Sequence, residues 1–431
     1  MAEAFDVYLD DVGRQIRWKR VRPAIRAELR AHMDDQAEAY RADGMDEAAA
    51  QAEAERQMGD AEAVGLALDH AHRPKKQTAI LLLAAAAAVL GAYFRVEFRN
   101  GGSGSAGALA AVLLTFGFLA GGYFSDYRRL GLRPWLFYGV VLALGAVCAR
   151  HSFPFGYSIL PFGDLSEYAA FFYPAAFALA VYALRGRKGG FWLALAALLP
   201  FYGLLYYTYS TIAHLLAALG FTVVLLTAIR AGFFRVKRGW AYALTLLLFA
   251  VSAVLIWYRA LSMFHESGTP FLSLDDIRKW RESLSMIRPE LRSSWSSLFT
   301  PYMYETGIVL PLAALFVPLL PFAALLLVRA WRLQNPLGRM LCLSTGAVLA
   351  VRITLRLLYL LGIFPLYAML PFWDGNALSI ADAALLGLTL SALRQSSCPE
   401  DAPKPPRPAK RLSERLVEAG KILFYSTHVC L

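Results

Sequence analysis

The sequence predicts an all-α, polytopic membrane helix bundle of about ten transmembrane helices, preceded by a small soluble helical domain. Three observations carry that prediction. Of 431 residues, 58% are hydrophobic and only 17% are charged, whereas soluble globular chains carry about 25% charged residues. Apolar spans follow one another from residue 77 onward, most of them approaching the roughly 20 residues needed to cross a hydrocarbon core. The charge is also divided. Residues 1–73 hold ten Lys/Arg against sixteen Asp/Glu, a net of −6, and the remainder holds 33 basic against 16 acidic residues.

Residues 5–70 read as a compact helical unit. Val7, Val12 and Ile16 are assigned to one helical face, and Ile25, Leu29 and Met33 to a second. Pro23 fits the first turn of the second helix and Gly44 ends it. An Ala/Glu-rich third helix follows Met45, and Gly59-Asp60 separates it from a fourth that carries Val64 and Leu68. Glu28 and His32 stand one turn apart, a spacing that fits a solvated face better than a metal site. The N-terminus has no apolar core of the kind a cleavable signal requires, so the first apolar span is expected to start insertion.

The spans are expected at residues 77–94, 106–125, 134–150, 165–184, 191–206, 208–229, 239–259, 304–328, 340–363 and 367–393, within a membrane domain 77–394. Basic residues mark alternate loops: Arg128, Arg129 and Arg133; Arg185, Arg187 and Lys188; Arg230, Arg235, Lys237 and Arg238; Arg329, Arg332 and Arg339. Cytoplasmic loops are enriched in Lys and Arg, so both termini are placed in the cytoplasm. That distribution makes a membrane, not a nucleic acid, the partner of the basic charge. The polar loop 262–303 then falls outside, with five basic and five acidic residues. Residues 395–431 form a Pro/Lys-rich cytoplasmic tail, ending in a short stretch around Leu412, Leu416 and Leu423 that suits an amphipathic helix on the inner leaflet.

Charges inside spans are the sharpest signal of function, because each costs about 2.5–3.5 kcal/mol at a helix centre on insertion scales. Arg352 and Arg356 lie one turn apart in the ninth span, and Asp382 lies within the tenth. Glu167 opens the fourth span after Ser166, Glu305 opens the eighth, and Asp374 precedes the tenth. An arginine–carboxylate cluster here fits structural pairing and an anionic-ligand site equally. His214, in the sixth span, reads as hydrogen-bonded packing. The four cysteines are scattered without CxxC spacing, and no phosphate loop, dinucleotide turn or serine-hydrolase elbow occurs. No metal site or cofactor is read from these residues.

Two resemblances follow. The first unit, with Tyr8-Leu9, Glu28-Leu29, His32-Met33, Asp35, Gly44-Met45 and Met58-Gly59-Asp60, resembles the HAAS or permease-prefix domains that precede bacterial membrane proteins. The membrane domain resembles the SEDS family (FtsW, RodA, SpoVE) of bacterial division, elongation and sporulation. Leu370-Pro371-Phe372, Asp374-Gly375 and Gly387-Leu388 are similar to the family's LPF-x-SYGG…GL run, and Gly362-x-x-Pro365 to its G-x-x-P. Ser166-Glu167 resembles the end of its QPSE, and Glu305-Thr306-Gly307 its E-x-G. Arg352 and Arg356 take the places of a Gln…Asn pair. The departures are Tyr207–Thr211 in place of PDLGT, and an outer loop without the family's DP-x-G-x-GY.

The resemblance implies a peptidoglycan glycosyltransferase of the bacterial cytoplasmic membrane that polymerises lipid II, the undecaprenyl-linked precursor. It implies a transpeptidase (penicillin-binding protein) partner and leaves room for a divalent cation. Asp275 and Asp276 are the paired carboxylates available as catalytic groups, and Arg352, Arg356, Ser166, Glu167, Glu305 and Asp374 would bind substrate. The departures keep two alternatives open: a catalytically degenerate scaffold or regulator, and a flippase of the lipid-linked precursor. Residues 1–73 are expected to bind a cytoplasmic protein.

Topology can be tested with single cysteines in a cysteine-less background, using an impermeant maleimide on intact cells. Position 285 is expected to label and position 410 to stay protected. The reverse pattern would remove the ten-span reading.

Overall fold

The computed structural model describes residues 5–19, 21–100, 105–150, 165–206, 211–266, 309–360 and 376–396. Every regular element among them is a helix, and the chain divides near residue 74, with one unit within Met1–Pro74 and the other spanning Lys75–Ser396.

The first unit contains α1 (Asp6–Gln15), α2 (Arg22–Ala42), α3 (Glu47–Met58) and α4 (Ala61–His72). Pro23 lies in the first turn of α2, where its missing N–H costs nothing. Gly44 and Gly59 end α2 and α3 with φ of 96° and 82°, a region that glycine enters without steric cost. Asp60 caps α4 by accepting the Ala63 amide at 2.9 Å. Tyr8, Leu9, Val12 and Ile16 meet Ile25, Met33 and Ala54 in the core. Val7 does not join them and is 75% exposed. Positions 7 and 12 differ by five residues, well off one helical face, whereas 8, 12 and 16 keep the four-residue step. Outside this core, the hydrogen bond from Arg26 and the charge of Arg30 hold the Asp6 carboxyl below the usual carboxylate range.

The membrane unit contains α5 (Thr78–Asn100), α6 (Ser105–Phe124), α7 (Tyr127–Leu132), α8 (Pro134–Arg150), α9 (Leu165–Ala170), α10 (Tyr173–Ala183), α11 (Gly190–Ala196) and α12 (Leu199–Tyr206). It continues with α13 (Thr211–Arg230), α14 (Arg238–Glu266), α15 (Val309–Trp331), α16 (Pro336–Leu360) and α17 (Asn376–Arg394). Among the described residues, three helices are long and apolar enough to cross a membrane by length and composition: Thr211–Arg230, Arg238–Arg259 and Pro336–Leu358. Six shorter apolar helices accompany them. α14 runs to Glu266, so the chain is still helical past Ser262, where the sequence places the start of the outer loop. The rest of that loop, and the tail beyond Ser396, lie outside the described residues.

The fourth and fifth spans are each two helices, not one. Pro174 cannot donate to the Ala170 carbonyl, and Pro200 cannot donate to that of Ala196, so α9 and α11 stop where those bonds would form. The sequence reads both spans as continuous because hydropathy does not register a missing N–H. α15 carries Pro318 and Pro321 without ending.

α13 is buried over most of its length, whereas α14 is largely exposed on the outside of the bundle. α6 and α17 pack along each other with no side chain between their backbones at the crossing. A Cβ on Gly387 would lie 2.6 Å from the Leu119 carbonyl oxygen and 2.9 Å from Gly122 Cα. Small residues permit this approach, which dispersion and backbone contacts then stabilise. Gly387→Ala is therefore expected to cost about 1–3 kcal/mol, the range for overpacking. Gly121→Ala, where a Cβ meets nothing within 4 Å, is expected to be neutral. Thermal unfolding of the two purified variants checks this, and equal melting temperatures would show that the crossing tolerates a methyl group.

Candidate functional site

The site forms where α16 and α17 meet the break between α9 and α10. Four residues of helix separate Arg352 from Arg356, which places both on one face of α16. Arg352 donates to Asp382 of α17 through both terminal nitrogens, at 2.6 and 3.2 Å. The two side chains are 3% and 4% exposed. Such a fork-to-carboxylate pair fixes orientation as well as distance.

The third component comes from the helix break. Phe171 lies in the turn between α9 and α10, and its ring centre lies 4.3 Å from the Arg352 guanidinium carbon. A desolvated cation–π contact of this kind contributes about 2 kcal/mol. Phe171 in turn packs with Ile212 and Leu216 of α13 and Val348 of α16, with Tyr168, Val351 and Leu355 around them. Arg352 is thus enclosed on one side by a carboxylate and on another by an aromatic face. Arg356, one turn further along α16, is 0% exposed.

Of the carboxylates that the sequence offers to the two arginines, Asp382 is brought to Arg352. Ser166 and Glu167 lie on α9, which packs against α13 and α17, but their side chains are outside what is described. Asp275, Asp276, Glu305 and Asp374 also lie outside the described residues. His214 of α13 is buried, with Nε2 3.4 Å from Arg259 of α14. Arg259 in turn lies over the Tyr206 ring at 5.4 Å. Sequence reasoning did not single out Phe171. The available signal was an aromatic run, Phe171-Phe172-Tyr173, directly ahead of a proline inside a span.

Neither protein-family models nor curated proteins match this sequence. Solved structures do. The rod shape determining protein RodA of Thermus thermophilus matches with 18% identity and a TM-score of 0.52, over 75% of this chain and 97% of that one. A point mutant of the same protein matches with 19% identity and a TM-score of 0.52, over 73% and 96%. The membrane unit has the RodA fold. A chain from a peptidoglycan synthase complex, described as coordinating polymerization and crosslinking, gives 20% identity and a TM-score of 0.48, over 74% and 97%. Almost the whole of RodA has a counterpart here, so the chain is an all-helical, polytopic membrane protein.

Removing one member of a buried ion pair leaves the other charge uncompensated, at a cost of about 3–5 kcal/mol, whereas replacing both with apolar groups is often neutral. Asp382→Ala alone is expected to lose stability in that range, and Arg352→Met with Asp382→Leu to recover most of it. Melting temperatures of both single variants and the double variant give the coupling. Additive effects would mean that the pair does not tie α16 to α17.

Proposed function

We propose that the chain acts in peptidoglycan synthesis at the bacterial cytoplasmic membrane, as a glycosyltransferase that uses lipid II. The supporting observation is the coverage of the RodA fold, 97% of that chain, together with the order of SEDS-like motifs along the sequence. In the proposed reaction, a sugar hydroxyl of one lipid-linked chain attacks the anomeric carbon of another. The bond from that carbon to the pyrophosphate oxygen breaks, and undecaprenyl pyrophosphate leaves. Asp275 or Asp276 of the outer loop takes the hydroxyl proton.

Arg352 and Arg356 divide the remaining work. Arg352 pairs with Asp382 and holds α16 in place, and Arg356, on the same face of that helix, is assigned to the pyrophosphate. Arginine suits this role because its planar donors match phosphate oxygens. Since Arg356 is fully enclosed, a ligand reaches it only when the surrounding helices part. Ser166, Glu167, Glu305 and Asp374 are assigned to the same substrate by resemblance. A transpeptidase partner follows from the same reading. The prefix unit, with its net charge of −6, serves as a handle for a cytoplasmic protein, because acidic surface is repelled by an anionic leaflet.

A second reading, a non-catalytic scaffold, is favoured by one observation: Tyr207-Thr208-Tyr209-Ser210-Thr211 stands where the family carries PDLGT, so its aspartate is missing. Purified protein incubated with labelled lipid II distinguishes the readings. Glycan ladders support the transferase. Intact, monodisperse protein without ladders supports the scaffold, and lipid II translocation across vesicles without ladders supports a flippase. Arg356→Asn is expected to weaken undecaprenyl-pyrophosphate binding tenfold or more, about 1.4 kcal/mol. Arg352→Gln is expected to lower the melting temperature instead.

A further inference from the structure

The far end of the bundle from Arg356, where α15 and α17 finish and α5 begins, is organised around one buried neutral side chain. Gln77 is 5% exposed. Its Nε2 donates to the carbonyls of Leu393 at 3.3 Å and Lys75 at 3.4 Å, and its backbone N–H donates to the Tyr123 hydroxyl at 3.4 Å. Its Oε1 accepts a hydrogen bond from Arg329 of α15. The Lys75 amide donates to the Arg394 carbonyl at 2.9 Å. The Arg394 guanidinium donates to Phe124 O at 3.3 Å and lies 5.2 Å from the Tyr123 ring centre.

Four cations therefore lie at this end: Arg329, held by Gln77 Oε1; Arg394, held by Phe124 O and the Tyr123 ring; and Lys75 and Lys76, exposed and directly ahead of Gln77 in the chain. None of the four has a carboxylate within ion-pair distance among the described residues. Asp126, between α6 and α7, caps α7 and pairs with Arg129. Gln77 fixes Arg329 without cancelling its charge, since an amide accepts the hydrogen bond as well as a carboxylate would. Arg394 Nε is buried and has no hydrogen-bond partner among the described residues. The first turn of the 23-residue α5 opens at the same place and adds the positive end of a helix dipole.

We infer that this end of the bundle binds the phosphate of an anionic phospholipid. Cations held close together without a carboxylate partner among the described residues repel one another, and an oxyanion between them removes that cost. The lipid is favoured over free phosphate as the source by position. The cluster sits at helix ends on the side that the basic loops place inward, where the leaflet is anionic and basic pockets between helices take headgroups. Phe124, beside Arg394, is 70% exposed and offers apolar surface to an acyl chain. This inference is independent of the proposed glycosyltransferase activity.

The full chain in nanodiscs of phosphatidylcholine, with and without phosphatidylglycerol, tests it by melting temperature and by native mass spectrometry of retained lipid. Phosphatidylglycerol is expected to raise the melting temperature and to stay bound. Arg329→Gln with Arg394→Gln is expected to weaken that binding at least tenfold. Should that variant melt early in phosphatidylcholine alone, the exposed pair Lys75→Gln with Lys76→Gln provides the same comparison. Arg187→Gln with Lys188→Gln, which removes equal charge from another exposed loop on the same side, is expected to bind as the unaltered chain does. An equal response from all variants, or an equal loss in the control, would show diffuse surface attraction and overturn the site. The same rise from inorganic phosphate in detergent would overturn the lipid assignment.

Discussion

The buried pair between Arg352 and Asp382 is the constraint on which the arrangement of this end of the bundle depends. Water is not available to solvate either charge, so each helix that carries one has to find the other. That requirement fixes the rotation of α16 and α17 about their axes, because a fork-shaped contact at 2.6 and 3.2 Å tolerates little turning. Once α17 is oriented, its glycine face meets that of α6. Once α16 is oriented, Arg356 must point into the same enclosed region. The turn before Pro174 belongs to the same region, since it carries Phe171, whose ring lies over the guanidinium.

The two ends of the unit handle positive charge in opposite ways. Arg352 is paired with a carboxylate within the protein. Around Gln77, the cations are positioned by carbonyls, an amide and aromatic faces, none of which removes charge. The first arrangement suits a structural tie and the second suits an exchangeable anion. The contrast rests on the identity of one partner: an aspartate in one place and a glutamine in the other.

Much of this was legible in the sequence, for physical reasons. Apolar spans are read directly because the bilayer demands length. Arg352, Arg356 and Asp382 stand out because a charge in a span is costly, but the choice of Asp382 among the available carboxylates is made by the packing of α16 against α17. The helix breaks were harder. Pro174 and Pro200 were visible, but prolines are tolerated within membrane helices, as Pro318 and Pro321 of α15 show. Nothing local separates a proline that ends a helix from one that does not. Phe171 escaped notice because its role exists only after that break. Gln77 escaped because it is an ordinary polar residue at a span boundary, and its four partners lie on segments as distant as residue 393. Val7 was misplaced by a five-residue step that looks periodic on paper and is not on a helix.

The contact between α6 and α17 also bears on how the protein is made. Ser125, at the end of α6, and Ser391 of α17 are joined by a hydrogen bond across 266 residues of chain. At translation rates of about 5–20 residues per second, α6 waits on the order of tens of seconds before its mate leaves the ribosome. During that interval its glycine notch faces lipid, another span or the insertion machinery. The second span and the last one thus form a clasp that shuts only when the membrane domain is complete. A chain truncated before α17 would lack this closure however well its other helices had inserted, which gives quality control in the membrane a clear feature by which to recognise an unfinished molecule.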